Sequence, residues 1–141
     1  EPPLFGKTPE QTGLIWRTIS ECESYLVSAN DKVVRPIFFG KGLDRVQEIE
    51  QAAQTIRQEL KSLDERLGPD NWLVGGQISA ADIAVFPALQ LVLRAAVKDA
   101  ARPFNLGLLP LAQTFPNLAK WAQRIEALPN YQRTYPPHWR D

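Results

Sequence analysis

Between Leu43 and Leu67 the apolar residues Val46, Ile49, Ala53, Ile56, Leu60, Leu63 and Leu67 recur at alternating spacings of three and four. The positions between them are filled largely by Gln, Glu, Asp, Arg and Lys. That pattern predicts one long helix with a single buried stripe. It would also serve a coiled coil, but amphipathic segments on both sides favour packing within one chain. Gly68-Pro69 is the expected stop. Upstream, Thr8-Pro9-Glu10-Gln11 reads as a helix start, with Thr as cap, Pro at the first helical position and Gln to complete a box. Ile15, Ile19, Cys22, Leu26 and Ala29 then form a second stripe. This helix is expected to fray near Asn30 to Val34 and to end before Pro36. Residues 35–42 are expected to be a loop whose Ile37, Phe38 and Phe39 plug a gap between helices. Downstream, Leu118, Trp121, Ala122, Ile125 and Leu128 mark a helix from Phe115 to Leu128. Pro129-Asn130-Tyr131 opens a short last turn, and Tyr135 to Arg140 reads as an extended tail.

The pattern changes after Gly75-Gly76. Ser79 is placed as a helix cap, and Asp82, three residues on, can accept from the Ser79 backbone N–H. Ile78 and Ile83 stand where a hydrophobic staple would form. From Ile83 to Leu93 no residue is charged. A helix apolar all round is buried or spans a membrane, and this run falls short of the roughly 20 apolar residues a bilayer requires. Residues 79–97 are therefore expected to be a buried central helix, bent at Pro87. Residues 99–114 are apolar for a loop and should be packed down or line a site. The fold class that results is all-α, a bundle of about five helices around the helix at 79–97.

A chain of 141 residues fits one domain. Its 16 basic and 16 acidic residues cancel, which gives no electrostatic reason to expect nucleic acid or an anionic membrane as partner. No signal peptide opens the chain, and Cys22 is its one cysteine, so a reducing, cytoplasmic setting is expected. The chain begins at Glu1 and contains no Met, so a preceding segment is expected.

Little in the sequence suggests chemistry. His138 is the one histidine, so a His-rich metal site cannot be assembled. No nucleophile elbow accompanies it. Cys22 lies on a buried stripe without a cationic neighbour at helical spacing, which fits a small hydrophobe better than a reactive thiol. Asp64 and Glu65 fit a solvated polar face. Gly75-Gly76 lacks the Gly-Lys-Ser/Thr of a phosphate loop and fits a tight turn. The cap accounts for Asp82. No catalytic residue and no metal ligand is assigned.

Four stretches together resemble the C-terminal helical domain of cytosolic glutathione transferases. They are Leu4-Phe5-Gly6-Lys7-Thr8-Pro9-Glu10, Leu73-Val74-Gly75-Gly76-Gln77-Ile78-Ser79-Ala80-Ala81-Asp82-Ile83, Phe115-Pro116-Asn117-Leu118-Ala119-Lys120-Trp121 and Leu128-Pro129-Asn130-Tyr131. The ending Tyr-Pro-Pro-His-Trp-Arg is similar to that of certain bacterial members. The resemblance implies that residues 1–7 are a linker from a thioredoxin-like N-terminal domain and residues 8–141 the helical domain. The absent domain would bind glutathione and supply the activating Tyr, Ser or Cys. This chain would bind no cofactor alone; glutathione would be the co-substrate of the intact parent, a homodimer acting on a small hydrophobic electrophile. By the same resemblance Asn30, Val34 and Trp139 fall where members line the electrophile site. Glu23 and Ser24 fall where many members place a polar or acidic residue reaching the partner subunit's glutathione; Ser24 departs from the acidic version. Helical domains resembling this one also occur as non-catalytic assembly modules in translation-factor and aminoacyl-tRNA-synthetase complexes, and that alternative stays open.

Overall fold

The computed structural model describes residues 3–68 and 71–139. Among them the regular structure is helical throughout. The first rod is made of α1 (Pro9–Glu21), a π turn (Cys22–Val27) and α2 (Ser28–Phe38). A 3-10 turn (Gly42–Arg45) leads into α3 (Val46–Leu67). Then come α4 (Ala80–Ala96), a 3-10 turn (Asp99–Ala101), α5 (Leu111–Thr114), α6 (Pro116–Glu126), α7 (Tyr131–Thr134) and a last 3-10 turn (Pro137–Trp139). With the rod counted as one, six helical units are present among the described residues. The Pro69 part of the expected stop, the linker residues Glu1 and Pro2, and Arg140 of the tail lie outside them.

The rod corrects the first of the expected boundaries. It neither frays at Asn30 nor ends before Pro36; α2 runs to Phe38 with Pro36 inside it. A proline this close to a helix end removes only one intrahelical bond. The last turn is closed by Phe39 N–H to Arg35 O (3.0 Å) and Lys41 N–H to Pro36 O (2.8 Å). Ile37 is buried as a plug would be, but Phe38 and Phe39 are exposed. Earlier on the rod, Thr18 is buried where Ile19 was expected; its hydroxyl donates to Leu14 O at 2.9 Å. The rod starts as its sequence indicates, with Gln11 N–H donating to Thr8 Oγ1 at 3.3 Å. Gln11 Oε1 in turn accepts from Lys7 N–H at 2.9 Å, one residue ahead of the cap. The segment before α1 is tied to the bundle, since Leu4 O accepts the Ala80 N–H at 2.8 Å.

Helix α3 buries Ile49, Ala53, Ile56, Leu60, Leu63 and Leu67, the stripe read from spacing, and adds Ala52. Val46 at its start is exposed. Gly68 follows at φ 59, a left-handed position that a side chain would strain. Helix α3 packs on α2 and α6, and α4 packs on α1 and α2. Burying each Leu or Ile side chain contributes about 1.5–3 kcal/mol, so the shared core of these helices is the main source of stability. Residues 99–114 are packed down through Phe104, Leu106 and Leu108, with a helical turn at α5 that loop composition did not indicate. Arg57 of α3 holds this segment by donating to Asn105 O (3.2 Å) and Leu106 O (2.9 Å).

Helix α4 is central but not buried on every side. Ala81, Val85, Leu89, Val92 and Ala95 are sealed in the core. Ile83 is 52% exposed and Pro87 is exposed beside it. One apolar face of the central helix is therefore open, and it defines the candidate site.

Candidate functional site

The start of α4 is organised by one carboxylate. The reciprocal capping box at Ser79 and Asp82 is formed. Asp82 Oδ2 accepts from the Ser79 N–H (2.8 Å) and hydroxyl (2.9 Å). Its Oδ1 accepts from the Leu73 N–H (2.9 Å) and from Trp121 Nε1–H (2.8 Å). Asp82 is 0% exposed, so a buried charge is matched by four donors. That is the condition under which a buried carboxylate is tolerated. It also leaves no lone pair for a substrate proton. The local half of this network was legible; the bonds from Leu73 and Trp121 were not.

Beside this hub lies an apolar groove of about 490 Å³. Its floor is the open face of α4, from Ile83 through Pro87 to Gln90, and its far wall is α7 with the tail. Pro87 has no N–H to offer the Ile83 carbonyl, which loses its usual helical partner. Ile78 lines the groove with Ile83, so the staple pair borders the groove and is not sealed in the core. A chain of edge-on aromatic contacts runs along the site: Trp121 to Phe86 (5.9 Å), Phe86 to Tyr131 (5.8 Å), Tyr131 to Tyr135 (6.3 Å) and Tyr135 to Trp139 (6.1 Å). Such spacing is favourable for aromatic pairs. Arg94 of α4 pins the end of the chain. It donates to Trp139 O (3.1 Å) and His138 O (3.3 Å) and stacks 5.2 Å from the Trp139 ring centroid.

Two polar side chains at the groove are engaged within the bundle. Gln90 Nε2 donates to Glu126 Oε1 at 2.9 Å, and the Thr134 hydroxyl donates to Tyr131 O at 2.7 Å. Burial, with Glu126 nearby, raises the Tyr131 phenol above its ordinary value, so it stays protonated at neutral pH. The groove can hold an apolar, planar molecule; it lacks an activated nucleophile or base of its own.

The residues singled out from the sequence fall in different places. Trp139 lines the groove. Asn30 and Val34 do not; both are core residues of α2. Asn30 is 3% exposed and its Nδ2 donates to Ala88 O of α4 at 2.8 Å. The reason is that α2 packs against both α3 and α4, which buries two of its faces. Glu23 and Ser24 are exposed on the π turn, away from the groove. Cys22 is buried beside them, and burial with Glu23 and Glu59 nearby pushes its thiol up to about 11. Asp64 is not a solvated surface carboxylate. Its Oδ1 accepts the Leu118 N–H at 2.8 Å and caps α6 from across the bundle. Spacing missed Phe86, Tyr131 and Tyr135 as site residues, although the aromatic content around Pro129 was a usable signal. Among the described residues no His, Cys, Asp and Glu cluster is placed to hold a metal ion.

Helices capped by a buried Ser-Asp box and packed in this order define a glutathione-transferase-type helical domain. The family model for the glutathione S-transferase C-terminal domain matches residues 46–124, and the chain belongs to that family. A glutathione transferase F2 structure from Populus trichocarpa superposes with a TM-score of 0.70 at 17% identity, over 92% of this chain and 57% of that one. A glutathione S-transferase structure from Methylobacillus flagellatus with bound glutathione gives 0.70 at 19%, over 96% of this chain and 61% of that one. Among curated proteins, elongation factor 1-gamma of Danio rerio is 26% identical over 84% of this chain and 24% of its own length. Valine–tRNA ligase of Takifugu rubripes is 31% identical over 66% of this chain and 8% of its own. The chain thus spans about a quarter or less of these curated relatives. No helix among the described residues is long and apolar enough to cross a membrane.

Proposed function

We propose that this chain is the helical half of a glutathione transferase-like protein and that its α4–α7 groove forms the apolar wall of the electrophile site. The observation that carries the reading is the open apolar face of α4 at Ile83 and Pro87, bordered by the aromatic chain that ends at Trp139. In this reading a thioredoxin-like domain preceding residue 8 binds glutathione and generates its thiolate. The thiolate attacks an electrophilic carbon and the leaving group departs with the bonding pair, while the groove holds the apolar body of the substrate. The helical domain contributes positioning and exclusion of water, and no proton transfer. Glu23 and Ser24, exposed on the rod, are available to a second subunit of a homodimer. The test is steady-state kinetics of the full-length protein with an aromatic chloro-electrophile. Tyr131→Ala and Trp139→Ala should each raise KM for the electrophile by about tenfold, the cost of losing one well-packed aromatic contact, with KM for glutathione unchanged. Unchanged electrophile kinetics in both variants would refute the site.

A second reading has its own support. Elongation factor 1-gamma among the curated relatives supports a non-catalytic assembly module built on the same fold. Full-length protein that fails to conjugate glutathione and elutes as a stoichiometric complex with another protein would establish that reading over the first.

A further inference from the structure

A second concavity, of about 500 Å³, lies at the C-terminal end of the rod, between α2 and the start of α3. Lys32, Arg35, Lys41 and Arg45 line it, with Asp31 and Glu48 as the two carboxylates. Both carboxylates are already matched: Arg35 Nε lies 2.6 Å from Asp31 and Arg45 Nη1 lies 3.5 Å from Glu48. Lys32 and Lys41 have no ion-pair partner among the described residues. The groove therefore holds two uncompensated positive charges on a chain whose net charge is zero. Phe39 stands in it 73% exposed, and Leu43, four residues on, is 72% exposed. The lysines are not required as caps, because backbone donors close the end of α2: the Gly40 and Lys41 N–H groups reach Ile37 O and Pro36 O.

We propose that this groove docks an acidic, extended segment of a partner protein that lays an apolar side chain on Phe39 and carboxylates on Lys32 and Lys41. Charge complementarity selects that occupant. Two excess cations attract carboxylates at peptide spacing, and an exposed aromatic supplies the anchor that charge alone does not. A nucleic-acid backbone fits less well. Its phosphates would run past Asp31 and Glu48, and the chain lacks the basic excess that such binding uses. This surface is separate from the α4–α7 groove and does not rest on the reading given there.

The test is fluorescence anisotropy of the full-length protein with a labelled peptide alternating Glu and Leu. A Lys and Leu peptide, a uridine oligonucleotide and anionic phosphatidylserine vesicles serve as competitors. The acidic peptide should bind, and its affinity should fall as salt rises from about 50 mM to about 300 mM, because the charges involved are exposed. Lys32→Glu with Lys41→Glu should weaken it by about tenfold through reversed steering. Phe39→Ala should weaken it by about fivefold, the loss of one anchor. All three side chains are exposed, so melting temperature should be unchanged in each variant. No binding of the acidic peptide, indifference to the double charge reversal, or displacement by the oligonucleotide or the vesicles would overturn the proposal.

Discussion

Two helices of this bundle begin on a carboxylate, and they obtain it in opposite ways. Helix α4 is capped from its own first turn, by Asp82. Helix α6 is capped by Asp64, which belongs to α3 and lies 54 residues before the Leu118 N–H it accepts. Phe115, at the capping position of α6, makes no side-chain cap bond. Asn117 ties the same joint by donating to Asp64 O at 3.0 Å. A local cap tells one helix where to begin; a remote cap tells two helices how to lie together. Asp82 does both, since its second oxygen also receives the Trp121 indole from α6 and the Leu73 backbone. Asp64 is half-buried and Asp82 fully so, and that difference in solvent access sets how much each should matter.

The largest effect is therefore expected from Asp82→Ala. It strands several buried donors, each costing about 1–3 kcal/mol, so a loss of about 4 kcal/mol or more is expected in denaturant unfolding. If Asp82→Ala cost no more than Asp64→Ala, the distinction between the two caps would collapse. Trp121→Phe removes the indole's bond to Asp82 and, because Trp121 is fully buried, part of its packed ring as well, so the hydrogen-bond loss and a cavity cost add to about 3 kcal/mol. A Trp121→Phe variant as stable as the parent would mean that the link from α6 to the α4 cap adds nothing.

The two caps also separate what local sequence specifies from what only packing decides. The Ser79–Asp82 box was legible because donor and acceptor are three residues apart and local geometry decides the contact. Asp64 was not, because its partner is fixed only when α3 and α6 pack; on sequence it stands among polar residues and reads as surface. The α3 stripe was legible for the same local reason, down to each buried Leu and Ile beyond Val46. The course of the first rod was not. Pro36 argues for an end, yet near the last turn it costs a single bond that tertiary packing of Val33, Val34 and Ile37 outweighs. That packing also placed Asn30 and Val34 inside the bundle. The groove itself was not legible from the residue pattern: an uncharged helix suggests burial on every face and hides the open one, and Trp139, which lines the groove, was placed at a site by the family resemblance alone. No single-residue pattern distinguishes Ile83, exposed, from Val85, sealed.

Asp64→Ala is expected to cost about 1 kcal/mol, the usual value of a helix cap, since water can reach the joint and replace part of the contact. The loss should fall on α6, with faster amide exchange at Leu118 than at Asp82. Equal acceleration at both helix starts would show that the two caps are one cooperative unit.

The smallest effect separates the cap from the staple. If Ile78 and Ile83 clamped the α4 start from within the core, Ile83→Ala would cost about 2–5 kcal/mol, as buried truncations do. Ile83 is instead 52% exposed on the groove floor, so about 0.5 kcal/mol or less is expected by chemical denaturation. The same variant should weaken binding of an apolar dye that occupies the groove, while Asp64→Ala leaves that binding unchanged. A stability loss at Ile83 approaching that of Asp82→Ala would place the residue in the folding device and remove it from the binding face. A small loss with weakened dye binding would assign the two ends of one helical turn to different work: Asp82 holds the fold, and Ile83 faces whatever the groove receives.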